Sequence, residues 1–290
     1  MTHLAIWAIR FVALLPLSWL RWIGTLLGYL LWLGVGKRRA VVQANLDACF
    51  PAIGREERRR MCRRVFVRFA QSWLDRGWIW HASEDLLRRR LKLVGRDQDI
   101  VLLGGNESVL VFAPHFFGLD AAATAVTLHL RRPLASIYTR QSNAVADAWI
   151  AKGRKRLGGV FLYRRLDGPK PLIAALRAGS LLYLLPDMDF GPRDSVFTPF
   201  FGMQAATVPS LSRFAKLGRA KVVPVWARMM RWGYEVQVMP AWSGFPSDDA
   251  LADTARMNCW LEEQVRANPD QYYWLHRRFK TRPPGVSSIY

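Results

Sequence analysis

His115 and Asp120 stand in the segment APHFFGLD, residues 113–120, directly after an apolar run. An imidazole paired with a carboxylate can draw a proton from an alcohol. The carboxylate fixes the tautomer and stabilises the imidazolium, which leaves the other ring nitrogen free to act. Of the 5 histidines, His115 alone falls where an apolar strand gives way to a helix, and the carboxyl ends of strands are where open α/β sheets build their sites. Pro114 and Gly118 argue against a regular helix through the segment. That matters because five helical steps would set the two side chains about 140° apart, whereas a loop entering a first turn near Asp120 lets them meet. The blander alternative has Asp120 charging a helix start and His115 filling a loop. Asp187 and Asp189, in PDMDFGP after the apolar run SLLYLLP, should reach the same strand-end face. Turn chemistry ahead of Gly191-Pro192 is their alternative.

Other chemistries lack their residues. There is no GxSxG elbow and no cysteine near a histidine in sequence, so a covalent intermediate has no obvious nucleophile. Neither HExxH nor paired metal-ligand spacing occurs, and no GxGxxG or P-loop follows a strand; LGGNES at 103–108 is only a turn. Cys49, Cys62 and Cys259 are too scattered for a disulfide framework or a zinc site and fit a reducing compartment. What remains is direct removal of a proton from a bound hydroxyl, which then attacks an activated acyl group.

The elements that must position these residues alternate. Residues 108–115, 134–139, 180–187, 221–229 and 234–242 read as strands, and 143–157, 169–178, 207–219 and 248–267 as helices. This predicts an α/β fold with a mainly parallel mixed sheet flanked by helices. Residues 55–80 read as a basic amphipathic helix, with Met61, Val65, Phe69 and Trp73 on one stripe. Its arginines suit either solvent or anionic headgroups.

The front end is different in character. Between Phe11 and Gly36 the only charge is Arg21. A helix from Trp22 to Gly36 would rise about 22 Å, short of a hydrocarbon core of roughly 30 Å, so a span needs residues before Arg21 with that side chain snorkelling. Trp7, Trp19, Trp22 and Trp32 suit a membrane interface. The expectation is an N-terminal hydrophobic membrane-anchor helix over 1–36, either spanning or lying in the interface, and one catalytic domain over 37–290. In the spanning case Lys37, Arg38 and Arg39 keep that domain cytoplasmic. Across the chain, 42 Lys and Arg against 22 Asp and Glu leave a charge of +20, which implies an anionic partner.

With these residues in view, the chain resembles the lipid A late acyltransferases, the lauroyl and myristoyl transferases within the glycerolipid acyltransferase-like group that carries the HxxxxD motif. The resemblance is carried by NLDACFP (45–51), APHFFGLD, PDMDFGPRDSVFTPFFG (186–202), VVPVWAR (222–228) and YYWLHRRFKTRPPG (272–285). It implies transfer of a fatty acyl chain from acyl carrier protein, as its phosphopantetheine thioester, onto a hydroxyl of a phosphorylated lipid A precursor. The setting is the cytoplasmic side of the inner membrane of a Gram-negative cell, with no metal, no bound cofactor and no nucleic acid. It further implies His115 as general base, Asp120 as its orienting carboxylate, and Arg154 on phosphate or oxyanion, with Asp187 holding Arg154 or a substrate group. Members close to the lauroyl transferases usually carry Glu where this chain has Asp120. Asp189 is expected among the substrate-binding residues, Arg277, Arg278, Lys280 and Arg282 on the lipid's phosphates or the acidic carrier or else as a solvated basic tail, and Phe197, Phe200 and Phe201 as walls of an acyl channel or as plain core. The rival readings are acylation of another membrane lipid, such as a lysophospholipid or ornithine lipid, and a basic membrane-binding protein without catalysis.

Overall fold

A computed structural model describes all residues, 1–290. Its centre is a seven-stranded sheet in the order β1-β9-β8-β2-β5-β3-β4. The strands are β1 (Leu91–Gly95), β2 (Val109–Phe112), β3 (Leu134–Tyr138), β4 (Val160–Arg164), β5 (Leu181–Leu184), β8 (Lys221–Met229) and β9 (Tyr234–Val238). All neighbours pair in parallel except β8 with β9. Strands β2 and β5 are buried at every position, as a parallel strand covered on both faces must be; this is why they read as unbroken apolar runs. A separate hairpin pairs β6 (Val196–Phe200) with β7 (Met203–Thr207). Its two turn residues, Phe201 and Gly202, have φ of 53° and 74°, the positive pair that a tight two-residue hairpin needs.

Alternation along each strand sorts the core. Leu110, Phe112, Leu182 and Leu184 face α9 (Lys170–Arg177), α10 (Ser210–Gly218) and α11 (Ala250–Ala267), while Val109, Val111, Leu181 and Tyr183 face α7 (Leu119–Leu130) and α8 (Ala144–Arg154). The long helix α4 (Arg55–His81) crosses the carboxyl end of the sheet and touches both layers, with Met61, Val65 and Phe66 on one and Trp78, Ile79 and Trp80 on the other.

The N-terminal anchor does not form. The apolar stretch folds instead as α1 (Thr2–Val12) and α2 (Leu17–Gly34), broken at Pro16, whose ring cannot continue a helix. Helix α2 has 18 residues, about 27 Å of rise, and no helix of the structure is long and apolar enough to cross a membrane. Nor is Arg21 a snorkelling residue. Its guanidinium meets the buried Asp75 of α4 at 2.6 Å, and Asp75 also accepts from Tyr234 Oη of β9 at 2.6 Å and Trp78 Nε1 at 2.9 Å. Gly24 and Gly28 lie so close to α4 that a Cβ on Gly28 would come within 2.4 Å of Val67 Cα. Helix α2 is thus a wall of the same body. The remaining helices are α3 (Gly36–Cys49), α5 (Glu84–Arg90) and α6 (Asp97–Gly104).

Candidate active site

Strand register assembles the site. Phe112 of β2 pairs with Leu184 of β5, and the loops that leave these two strands reach His115 and Asp187 three residues later in each. The two side chains therefore emerge together at the carboxyl edge. His115 Nδ1 lies 2.7 Å from Asp187 Oδ1, and the His115 backbone N–H donates to Asp187 Oδ2 at 3.0 Å. Tyr272 Oη donates to that same Oδ2 at 3.0 Å. With its proton on Nδ1 facing Asp187, the imidazole keeps an acceptor lone pair on Nε2, which makes no hydrogen bond within the chain. Asp187 is fully buried. Burial pushes its carboxyl up, but His115, the donated hydrogen bonds and Arg278 outweigh that and hold it below the ordinary carboxylate value.

This corrects the expected pairing. Asp120 is not the partner of His115. It begins α7 behind Gly118, which is packed so tightly that a Cβ there would sit 2.7 Å from the carbonyl oxygen of Ala227. From that position the carboxylate takes two arginines: Arg154 Nε donates at 2.8 Å and Arg76 Nε at 2.9 Å. Asp120 is 4% exposed, Arg76 12% and Arg154 26%. Burial pushes the Asp120 carboxyl up, yet Arg154 and then Arg76 pull it below its ordinary value. Nor does Asp187 hold Arg154; the two carboxylates have exchanged their expected roles. Two guanidiniums against one carboxylate leave a surplus positive charge in the cavity that His115 also lines.

Arg76 is absent from the sequence-based site. A signal existed, because it lies one turn beyond Trp73 on the buried stripe of α4, where a charge is out of place. Its guanidinium stacks 4.3 Å from the Trp73 ring. Tyr272 was also missed, since the tail strap that carries it has no periodicity to mark it.

His115, Asp120, Arg154 and Arg76 all line one cavity of about 780 Å³, within the range of small-ligand and lipid sites. It straddles the edge of the sheet. On the α7–α8 face its walls are Ala123, Thr124, Leu134, Ser136, Ile150, Val160, Leu162 and Tyr183, and on the α9–α10 face Ile137, Leu172, Leu184, Phe214 and Leu217. The cavity is thus mainly apolar, with His115, Asp120, Arg76 and Arg154 among its polar lining and Arg164, Arg165 and Arg213 adding further positive charge.

Other expected residues lie elsewhere. Arg278 is buried at 2% exposure and donates from its two terminal nitrogens to Ala206 O, Thr207 Oγ1 and Asn258 Oδ1, so it pins β7, and it does not line the cavity. Asp189 is buried and accepts from the backbone N–H groups of Gly191 and Thr281 and from Thr281 Oγ1, which makes it a clasp between its loop and the tail. Arg277 and Lys280 are exposed and do not line the cavity. Phe200 and Phe201 belong to the core, and Phe197 is likewise outside the cavity walls. The His276 imidazole accepts from the Asp189 N–H at 3.1 Å. Burial first, then the charges of His115 and Arg278, lower it to about 4.

A histidine held by a buried carboxylate, beside paired arginines in a mainly apolar cavity, has the groups that acyl transfer to a lipid hydroxyl calls for: a base, positive charge and room for hydrocarbon. A family profile described as bacterial lipid A biosynthesis acyltransferase matches residues 1–281, and the chain belongs to that family. It is 32% identical over 293 residues to the lipid A biosynthesis lauroyltransferase of Escherichia coli (strain K12), covering 100% of this chain and 94% of the relative. The palmitoleoyltransferase of the same organism is 29% identical over 281 residues, 95% of this chain and 90% of its own. Its myristoyltransferase is 31% identical over 256 residues, 88% and 78%. Three acyl groups at such even identity mean that overall similarity does not choose among chain lengths.

Proposed function

We propose that this enzyme of lipid A biosynthesis transfers a fatty acyl chain from the phosphopantetheine thioester of acyl carrier protein to a hydroxyl of a phosphorylated lipid A precursor, in one ternary complex with His115 as the base. The observation that carries the reading is the buried Asp187 on His115 Nδ1, which leaves Nε2 as the acceptor in the cavity. His115 Nε2 takes the proton of the acceptor hydroxyl while its oxygen attacks the thioester carbonyl carbon. Asp187 compensates the imidazolium that forms. The carbonyl oxygen becomes an oxyanion in a cavity whose surplus positive charge comes from Arg76 and Arg154, clamped in place by Asp120. Collapse breaks the carbon–sulfur bond, and the imidazolium returns its proton to the departing thiolate. Donor and acceptor each bring a hydrocarbon chain to the reacting atoms, which suits a cavity whose lining is mainly apolar.

A peripheral seat on the cytoplasmic face of the inner membrane accompanies this chemistry. Supporting it are the apolar side chains that α1, α2 and their connection leave in solvent, among them Trp7, Phe11, Leu14, Trp19, Trp22, Leu30 and Leu33, a patch of the kind that marks a docking face. The net charge of +20 favours anionic lipid, phosphorylated acceptor and acidic carrier alike.

The test is mass analysis of lipid A from cells with the gene, without it, and with His115→Ala. One acyl chain should be missing in the second and third, and purified His115→Ala protein should lose transfer by about three orders of magnitude or more. Unchanged lipid A would overturn the choice of acceptor and direct attention to other membrane lipids.

A further inference from the structure

The tail from Gln271 to Thr281 holds both halves of the His115–Asp187 pair. Phe117 N–H donates to Gln271 O and Tyr273 N–H to His115 O, each at 2.9 Å, while Phe116 and Tyr272 form a backbone bridge. Tyr272 then turns its phenol inward. The side chain is 3% exposed, and its ring is fixed by Trp274, Phe116 and Phe200 at centroid distances of 4.9, 5.6 and 6.3 Å. Packing alone would be served by phenylalanine. The hydroxyl adds one thing, a bond to Asp187 Oδ2.

That bond competes with His115. A carboxylate that receives a further hydrogen bond is a weaker base, so it draws the imidazole proton less strongly and leaves His115 easier to deprotonate. Burial, and then the charge of Asp187, raise the Tyr272 phenol well above its ordinary value, so it stays a donor across the working pH range. The charged and titratable groups facing Asp187 are His115 from the loop after β2, and Tyr272, His276 and Arg278 from the tail. Asp189 stands beside His276, and Cys49 of α3 lies near Tyr272 with Glu262 and Arg266 of α11 behind it. Among these only His115 and Tyr272 hydrogen-bond to Asp187.

We propose that Tyr272 is a positioning residue that sets the proton affinity of His115 through Asp187, so that the chain carries a His115–Asp187–Tyr272 relay. The consequence for catalysis rests on the reading of His115 as base; the effect on titration does not.

The experiment follows the His115 imidazole by nitrogen-15 NMR in the full chain, assigned with His115→Asn, alongside the pH profile of kcat/KM. Tyr272→Phe should raise the His115 midpoint by about half a unit to one unit and carry the acid limb of kcat/KM up with it. At neutral pH kcat should fall correspondingly, by about 3- to 10-fold at most, with KM unchanged. Replacing Tyr272 by 3-fluorotyrosine, a more acidic donor, should move the midpoint the opposite way. Phe200→Leu loosens the same packing without touching the phenol, and should cost activity with the midpoint unmoved. An unchanged His115 midpoint in Tyr272→Phe, or a shift of the same sign in the fluorinated protein, overturns the proposal. Absence of acyl transfer in the unaltered enzyme would instead sink the functional reading, with the NMR titration still deciding the relay.

Discussion

The two buried carboxylates at the crest of the sheet differ in what they hold, and substitutions should separate them. Asp187→Asn keeps the shape but can donate toward His115 Nδ1, which favours the wrong tautomer; kcat should drop by about two to four orders of magnitude with little change in thermal stability. Asp120→Asn leaves Arg76 and Arg154 facing each other with no counter-charge, and should cost about 3 kcal/mol in denaturant unfolding. His276 gives a third, pH-dependent outcome. Its imidazole is lowered from 6.5 to about 4 in the fold, so between those values the unfolded chain binds more protons and stability falls as the pH falls. The loss should be on the order of 2 kcal/mol after allowance for partial exposure, and urea titrations across that window should show it flattened in His276→Asn.

At the level of elements, close packing between α2 and α4 makes a sharper claim than composition does. A methyl group on Gly28 would strike Val67 backbone at 2.4 and 2.8 Å, atoms that cannot yield, so Gly28→Ala should push the helices apart and cost about 1–3 kcal/mol; a thermal melt unchanged within a degree would contradict it. The sequence could not reveal this contact, because a glycine within an apolar run looks the same against lipid as against another helix. What it could reveal was whatever obeys a period. The buried strands β2, β5 and β8 and the helices α4, α8, α9, α10 and α11 were legible as apolar runs or stripes, whereas β1, β4, α6 and the β6–β7 hairpin depend on partners distant in the chain. The site divides the same way. His115 and Asp187 were visible as polar residues at the ends of apolar runs, but their partnership depends on the pairing of β2 with β5. That register is a tertiary fact, and HxxxxD spacing pointed to Asp120 instead.

For the molecule as a whole, the question is where a chain with +20 charge and an uncovered apolar front rests. Helix α2 joins the body through Asp75, Gln71 and Val67 and α1 packs through Ile9 against Gly77 of α4, so their outward side chains are held on a fixed surface and not on a free tether. Helix α1 also reaches the active-site side, where Asn143 at the start of α8 donates to Thr2 Oγ1 at 2.9 Å. Since α8 carries Arg154, a membrane that takes up α1 lies beside an element that lines the candidate site. Each exposed large apolar side chain inserted into the headgroup boundary is worth about 1–2 kcal/mol. A triple Trp7→Ser, Trp22→Ser, Leu30→Ser variant should therefore lose at least about tenfold in co-sedimentation with vesicles containing anionic lipid. Salt should weaken the binding of the unaltered protein only in part, because apolar insertion is not screened. The variant should fold normally, since all three side chains are exposed, and should keep its turnover on detergent-dispersed substrate. If the triple variant bound vesicles as well as the parent, the arginine-rich face would have to carry the attachment alone, and raising the salt would then release the protein completely.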